Sequence, residues 1–238
     1  MILLGFDTAT NATSVALRLG DGSVTEARDD PAAGAHPGHA TRLLAMADGL
    51  LKNAGAGTGD VDRIAVGVGP GTFTGLRVGV ATARGLAQSS GAELVAVSSL
   101  RALAGPALED RGEGAVLAVI DARRSEVFAA AYATGGGELA AGRALGPGAI
   151  ASLIEEAGIA SARALGDGAV RYRTELEAAG LDVAPDDSPL HLLRAAAICA
   201  RAASSEIPVS SEPVLPDYLR RPDAELALEG AGVNGGRR

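Results

Sequence analysis

Cysteine, aromatic residues and positive charge are all scarce in this sequence of 238 residues. The one cysteine, Cys199, excludes an internal disulfide and any metal cluster built from cysteine ligands. Aromatic residues make up only 3%, so few rings are available to stack on nucleic-acid bases. The formal net charge of −8 argues against a protein that binds nucleic acid by itself, because Lys and Arg supply most of the affinity for phosphates. If RNA is involved, we expect another chain to supply the basic surface.

Long apolar runs are also missing. No run approaches the roughly 18 apolar residues that a membrane-spanning helix needs. The N-terminal stretch lacks a positively charged region followed by an apolar region and a small-residue cleavage site. We therefore expect a cytoplasmic protein with no membrane contact. Its hydrophobic content of 47% is enough to bury a sizeable core.

The first half of the sequence alternates between strand and helix patterns. Residues 1–28 predict a meander of three strands, with Gly20-Asp21-Gly22 as the turn between the last two. The remaining patterns predict, in order, a helix over 38–54, a strand over 64–68, a helix over 74–89, a strand over 93–97 and a helix from Ser99.

The second half repeats the opening of the first. Val116–Asp121 mirrors Ile2–Asp7 as an apolar strand that ends in Asp, and further strands follow in the same order. Helices are predicted near 147–157, 168–179 and 189–204. This duplication predicts an α/β fold of the actin-like (RNase H-like) class, in which helices flank a mixed sheet in each of two lobes. The predicted division is an N-terminal lobe over 1–110 that carries the partner-docking helices, a smaller lobe over 111–222 and a flexible tail over 223–238.

Both strand-end turns differ from those of an active phosphotransferase. In kinases of this fold, the Asp and a Gly-Thr turn meet phosphate and metal, but the turns Asp7–Thr10 and Asp121–Arg124 contain no glycine to let backbone amides approach a phosphate. Asp7 and Asp121 are therefore either a pair of carboxylates across a cleft or structural residues, and we favour the second interpretation.

The most specific segment is Ala65-Val-Gly-Val-Gly-Pro-Gly-Thr-Phe-Thr-Gly-Leu-Arg-Val-Gly79. Four further blocks accompany it in order along the chain: Ile2–Thr10, Val95–Leu100, Val119–Arg124 and Pro216–Arg220. Together they closely resemble the TsaB (YeaZ) family, and the matches extend over nearly the whole chain.

That resemblance implies a paralogue of the catalytic TsaD subunit that has kept the fold and lost the active site. It implies no catalytic residue and no cofactor of its own, and it assigns any ATP or ADP to the complex. The implied partners are a TsaD-like catalytic subunit and a TsaE-like small ATPase, with tRNA bound only through the complex. The complex would form N6-threonylcarbamoyladenosine at position 37 of tRNAs that read ANN codons, and a homodimer is possible when the chain is alone. The alternatives are a small-molecule kinase or acyltransferase of this superfamily and, less favoured, a glycoprotease-like peptidase.

The loop within the long segment allows two interpretations of its own. It lacks both the Gly-Lys-Ser/Thr ending of a P-loop and the Gly-x-Gly-x-x-Gly spacing of a dinucleotide site. It is either a tight strand-to-helix turn, with Thr72 or Thr74 capping the helix, or a residual nucleotide contact within the complex, and we favour the turn. Its candidate residues are Gly69, Gly71, Thr72, Thr74, Gly75 and Arg77.

The histidines and the arginine pairs carry weaker signals. His36 and His39 lie three residues apart near a helix start, but no third metal ligand is evident nearby, so we predict no metal site and solvent-facing histidines. Arg123-Arg124 and Arg220-Arg221 are predicted to be exposed ion pairs, or contacts with acidic groups of a partner or with RNA phosphate.

Two predicted helices have unusual outer faces. The helix near 40–54 has an apolar arc wider than the stripe of about 100° that an ordinary surface helix shows. The helix over 74–89 carries small, uncharged residues opposite its apolar face, where charged side chains would be expected. We predict a partner interface, with burial inside the same chain as the alternative. Its residues are Leu43, Met46, Ala47, Leu50, Val78, Ala81, Thr82 and Gly85.

Overall fold

The computed structural model describes residues 1–32, 34–109, 114–204 and 213–220. These residues form two five-stranded mixed sheets with helices packed against them. The predicted tail over 223–238 and Arg221 lie outside the described residues.

The first sheet has the strand order β3-β2-β1-β4-β5. β1 pairs antiparallel with β2 and parallel with β4, so a hairpin meander lies beside two parallel strands. Every residue of β1 is buried, as expected for a central strand with both faces covered. The strands are β1 (Leu3–Asp7), β2 (Thr13–Arg18), β3 (Val24–Asp29), β4 (Arg63–Gly69) and β5 (Glu93–Ser98).

The second sheet repeats this order. Read from β8, it is β8-β7-β6-β9-β10, again an antiparallel meander followed by two strands parallel to the first. The predicted duplicated actin-like fold is therefore confirmed, and Asp7 and Asp121 lie at equivalent positions near the carboxyl ends of β1 and β6. The strands are β6 (Ala115–Arg123), β7 (Glu126–Ala133), β8 (Glu138–Leu145), β9 (Ala162–Leu165) and β10 (Asp182–Val183). The last two were not predicted from the sequence.

The helices cover both faces of the sheets. In the first half, α1 and α2 pack on one face of the first sheet, and α3 lies on the other face, toward the second sheet. The helices are α1 (His39–Asn53), α2 (Phe73–Ser90), α3 (Ser99–Glu109), α4 (Ile150–Glu156), α5 (Asp167–Arg171), α6 (Arg173–Ala178) and α7 (Ala195–Ala203). Short 3-10 turns lie at Thr58–Asp60, Pro147–Ala149 and Pro189–His191.

Two of the predicted helices are interrupted. The helix predicted over 168–179 divides at Tyr172, whose φ of −114° and ψ of 32° leave the helical region. The helix predicted over 189–204 begins only at Ala195. Before it, the buried His191 ring binds the backbone of Gly166 and Ala184, and these contacts hold residues 189–191 in a separate turn.

α7 returns from the second half of the chain to pack on the first sheet. Its first amides are capped by strand residues of that sheet: Ala195 N donates to Ser14 Oγ (2.9 Å) and Ala196 N donates to Glu26 Oε1 (3.1 Å). Cys199 is fully buried against β1, as its apolar surroundings in the sequence indicate. The helix over 195–203 thus packs with the first half, although it belongs to the lobe predicted over 111–222. The division at 110/111 stays a prediction.

Candidate functional site between the lobes

The signature loop packs against the turn that follows β1. β4 ends at Gly69, whose φ of 115° lies in the region that favours glycine. The chain then turns so that Thr72 N donates to Ala9 O at 2.7 Å, and α2 begins at Phe73. Thr72 occupies the N-cap position, as predicted, but its side chain makes no cap hydrogen bond with any described residue.

The glycines of this loop permit close contact within the chain. A Cβ on Gly71 would lie 2.4 Å from Ala9 O, and one on Gly75 would lie 2.0 Å from Thr8 O. Thr8 Oγ1 also donates to Gly75 O at 2.7 Å. The space beside the glycines is thus occupied by the β1–β2 turn, as the structural interpretation of the loop expects.

Asp7 is held inside the protein. Its side chain is 2% exposed, accepts a hydrogen bond from Ser99 Oγ (2.7 Å) and accepts another from Ala9 N (2.7 Å). Burial raises the pKa of Asp7 above its ordinary value, and the two hydrogen bonds partly oppose this effect. The Asp7 side chain therefore makes its contacts inside the protein, where β1, β4 and α3 meet.

Asp121 has different partners. Its Oδ2 pairs with Arg123 (3.3 Å) and with Arg171 (3.2 Å), while its backbone N donates to Asp167 Oδ1 (3.0 Å). The structure gives Asp7 and Asp121 separate sets of partners, and only Asp121 lines the pocket described next.

A cavity of about 210 Å³ lies between the two halves of the chain. Three of the five sequence blocks line it: the signature loop, the β6–β7 turn and the segment that ends at Arg220. We call it the interlobe pocket. Its lining residues are Gly71, Thr72, Phe73, Asp121, Ala122, Arg123, Arg124, Phe128, Asp217, Tyr218, Leu219 and Arg220.

An aromatic pair forms one wall of the interlobe pocket. The Phe73 and Tyr218 rings lie 5.3 Å apart between centroids. The Arg77 guanidinium lies 3.8 Å from the centre of the Phe73 ring, and Arg77 Nε donates to Tyr218 Oη (3.1 Å). Sequence reasoning gave Arg77 a place in the signature loop but missed Phe73 and Tyr218. The signal for Tyr218 is its position in the block 216–220, of which only Arg220 carries a prediction of its own.

The opposite wall is a strained basic turn. Arg123, Arg124 and Ser125 have φ values of 64°, 53° and 58°, although none is glycine. A two-residue hairpin with positive φ at both central positions favours Asn and Gly. Arg220 lies close by and pairs with Glu126 at 2.9 Å.

One of the two histidines differs from the prediction that both face solvent. His36 is exposed, but His39 is only 4% exposed because it begins α1 on the side that faces the sheet. Its Nδ1 hydrogen-bonds Thr13 Oγ1 (2.9 Å), its Nε2 has no partner among the described residues, and burial lowers its pKa. In the part of the chain that the structure describes, no three His, Cys, Asp or Glu side chains are grouped so that they could hold a metal ion.

The residues of the predicted partner interface are accessible on α2 but mostly buried on α1. On α2, Ala81 and Gly85 are exposed, and Val78 and Thr82 are half-buried. On α1, Met46 is half-buried, but Leu43, Ala47 and Leu50 are buried in the chain's own core, with exposures of 1%, 4% and 7%. Their assignment to the interface is therefore wrong, because the wide apolar arc of α1 packs on the sheet. Leu44, which is 52% exposed, was missed.

No helix among the described residues combines the length and the apolar character needed to cross a membrane.

Comparison with known proteins gives consistent results. The family model described as "TsaD: tRNA N6-adenosine threonylcarbamoyltransferase" matches residues 32–235. The chain is 42% identical over 128 residues to the tRNA threonylcarbamoyladenosine biosynthesis protein TsaB of Haemophilus influenzae, and 39% identical over 137 residues to that of Escherichia coli. These matches cover 54% and 56% of this chain and only about half of each relative, 52% and 55%.

Two longer matches extend the comparison. An uncharacterized protein of Mycobacterium tuberculosis is 35% identical over 230 residues, which cover 94% of this chain and 93% of that protein. The solved structure titled "YeaZ from Pseudomonas aeruginosa" is 32% identical, with a TM-score of 0.72 over 92% of this chain and 99% of the other.

Proposed function

Because the chain belongs to the TsaB (YeaZ) family, we propose that it is the non-catalytic subunit of the machinery that forms N6-threonylcarbamoyladenosine in tRNA. Its partner in this proposal is a TsaD-like catalytic subunit, joined by a TsaE-like small ATPase. The modified base is position 37 of tRNAs that read ANN codons, and the tRNA is bound through the complex. Any ATP or ADP is held at the level of the complex.

The observation that supports the non-catalytic role is that the β1–β2 turn itself fills the space in which a phosphate would lie. A phosphotransferase of this fold needs space for a phosphate beside the carboxylate at the end of β1. Here Ser99 and Ala9 N occupy both oxygens of Asp7, and Thr8 and Ala9 pack against Gly75 and Gly71. At the equivalent position of the second lobe, Asp121 is paired with Arg123 and Arg171. Both carboxyl groups are therefore engaged by partners within the chain itself.

The outer surface of α2 supports the docking role. Ala81 and Gly85 are exposed and small, and beyond the backbone of α2 itself and the two neighbouring residues no described atom lies within 4 Å of the place where a Cβ on Gly85 would lie. Small side chains allow another helix to approach closely. α1 packs beside α2 on the same face of the sheet and adds the exposed Leu44. We propose that the exposed residues of this helix pair contact the catalytic subunit.

Ala81→Arg tests this docking. A long charged side chain would prevent close helix approach and would bury an unpaired charge, and such a change at an interface centre commonly costs about 2 kcal/mol or more. We expect Ala81→Arg to weaken association with the TsaD-like subunit by roughly 30-fold or more, measured by size-exclusion chromatography and calorimetry. Formation of threonylcarbamoyladenosine by the reconstituted complex should fall in parallel.

The matched control is Ala151→Arg, an exposed alanine on α4 of the second lobe. It should bind as the unmodified chain does. Circular dichroism should show both variants folded, because surface substitutions usually change stability by about 0.5 kcal/mol or less. Wild-type binding by Ala81→Arg would place the docking surface elsewhere, and unfolding of that variant alone would show that the face is internal.

A further inference from the structure

We propose that the charge of α2 selects the partner of the docking surface. The exposed arginines on one edge of this helix fit a partner helix that presents Asp or Glu side chains, and they disfavour a second copy of this chain. This proposal rests on the docking proposed above and goes beyond it, because it states the chemistry of the opposing surface and excludes one partner.

α2 is positively charged although the whole chain carries −8. Its 18 residues include two arginines and no aspartate or glutamate. Arg77, Arg84 and Gln88 are exposed, and their spacing along the chain places them on one side of the helix. We call these three residues the arginine edge. It borders the small, exposed Ala81 and Gly85, which form the centre of the proposed docking surface.

The two arginines of this edge have different surroundings. Arg77 is held within the chain, because its guanidinium lies over the Phe73 ring and its Nε donates to Tyr218 Oη. Arg84 is exposed, and no residue in the described part of the chain forms an ion pair or a hydrogen bond with it. The charge of Arg84 is therefore available to a protein that docks on α2.

The carboxylates on the elements around α1 and α2 are already engaged. The contacts are Asp48 with Lys52 (2.7 Å), Asp29 with Arg42 (3.8 Å), Glu93 with Arg63 (2.6 Å) and Asp60 with the backbone N of Gly57 (2.8 Å). Asp217 lies in the interlobe pocket with Phe73, at the start of α2. Arg84 lies about 16 Å further along the helix. A counter-charge for Arg84 must therefore come from another molecule.

A second copy of this chain does not supply that counter-charge. Docked through the same face, it would offer an α2 without any carboxylate and an α1 whose one carboxylate, Asp48, is held by Lys52. In an antiparallel helix pair with two-fold symmetry, the arginine edge of one copy would meet the arginine edge of the other. Like charges in an interface oppose association, and a charge that is buried without a partner opposes it further. Self-association through this face is therefore disfavoured.

The partner that fits has a carboxylate where its helix passes Arg84. Ala81 and Gly85 let such a helix approach closely, and an Asp or Glu on it can accept two parallel hydrogen bonds from the Arg84 guanidinium. Charge complementarity of this kind guides encounter and rejects wrong partners more than it adds affinity. The other exposed residues of this face, which include Leu44, are small or apolar. They favour a protein helix over an RNA backbone, whose binding depends on several positive charges.

Charge reversal at Arg84 should change two associations in opposite directions. In Arg84→Glu, binding of the full chain to the TsaD-like subunit should weaken by roughly tenfold or more in isothermal titration calorimetry. Self-association in sedimentation equilibrium should strengthen by roughly tenfold, because the new carboxylate can pair with the second copy's Arg77 when two antiparallel α2 helices cross near Ala81. Loss of folding would weaken both associations, so it cannot produce this result.

A neutral variant and a matched control complete the test. Arg84→Gln should associate with the TsaD-like subunit more slowly than wild type at low salt. This difference should disappear near 1 M salt, where charges are screened beyond about 3 Å. Arg143→Glu makes the same change in net charge on β8 of the second lobe, where Arg143 pairs with Glu156. It should leave both associations as in wild type, and circular dichroism checks that every variant is folded.

The outcomes separate this proposal from the proposed function. If wild type and Arg84→Glu bind the TsaD-like subunit equally, the docking stands and selection by charge is wrong. If wild type does not bind that subunit, the proposed function fails, and self-association decides: a stronger dimer of Arg84→Glu supports selection by charge, and equal self-association overturns it. Binding of isolated tRNA by wild type that is lost in Arg84→Gln would also overturn it, because Arg84 would then serve RNA.

Discussion

A pair of Gly→Ala substitutions on one helix tests whether the signature glycines serve packing. Gly75 and Gly85 both lie in α2. A Cβ at position 75 would lie 2.0 Å from Thr8 O, whereas one at position 85 would have no described atom within 4 Å beyond its two chain neighbours and the backbone of α2 itself. The two variants therefore add the same methyl group to the same helix, and only the first must displace its surroundings.

The expected difference in unfolding free energy follows from the surroundings of the two glycines. Alanine is favoured over glycine in a helix by up to about 1 kcal/mol, so Gly85→Ala should be stabilised by up to that amount. Gly75→Ala gains at most the same, but Thr8 O must retreat by more than 1 Å to reach ordinary contact at 3.4 Å. That carbonyl belongs to Thr8, whose hydroxyl donates a hydrogen bond to Gly75 O, so it cannot move alone. Overpacking of this kind costs about 1–3 kcal/mol, which is the expected difference in unfolding free energy between the variants.

Urea denaturation followed by circular dichroism measures this difference directly. In thermal unfolding, the two midpoints should differ by about 2–4 °C for each kcal/mol in a chain of this size. Gly79→Ala should fall between them, because its Cβ would meet the Thr8 hydroxyl, which can rotate away more easily than a carbonyl. Equal stability of Gly75→Ala and Gly85→Ala would refute the reasoning. It would mean that the β1–β2 turn can leave the loop and that space for a phosphate exists there.

Three further predictions concern the same region. The pKa of Asp7 is raised in the folded state, so its favourable contribution to stability is complete below the ordinary value of 3.8 and is lost as pH rises through the folded pKa. In urea titrations, the stability of Asp7→Asn relative to wild type should therefore increase from about pH 4 to neutrality. A difference that does not change with pH would contradict this. Ser14→Ala removes the acceptor for Ala195 N at the start of α7 and should cost about 1 kcal/mol in unfolding free energy, with an unchanged midpoint as the contrary result. The purified chain should not hydrolyse ATP in a phosphate-release assay, and steady turnover that disappears in Asp7→Ala would favour a kinase instead.

The fold could be predicted because its signals are local. Each sheet begins with an apolar strand that carries an Asp at or near its carboxyl end, and the glycine-containing turns Gly20-Asp21-Gly22 and Gly135-Gly136-Gly137 mark the hairpins. β9 and β10 escaped prediction because four and two residues are too short to show a periodic pattern. The helix break at Tyr172 escaped because nothing in the surrounding sequence marks it as a helix end.

The candidate site could be predicted only in part because it depends on distance in space. An apolar arc on α1 looks the same whether the sheet of its own chain or a partner covers it, so Leu43 and Leu50 were assigned to the wrong surface. The same ambiguity explains why His39 was predicted to face solvent, although it is buried. The contact between Arg77 and Tyr218 joins residues 141 positions apart, and no pattern within either segment announces it.

The return of α7 to the first sheet has a consequence for synthesis on the ribosome. Leu3, Ala16 and Ala65 belong to the core cluster that also contains residues of α3 and α7. A nascent chain that has emerged only as far as β10 must therefore keep that face of the first sheet incompletely covered, with no Arg194 or Ala195 to meet Glu26 and Ser14. Completion of the first half waits for a helix that is synthesised after the strands of the second sheet, so the two halves reach their final structure together.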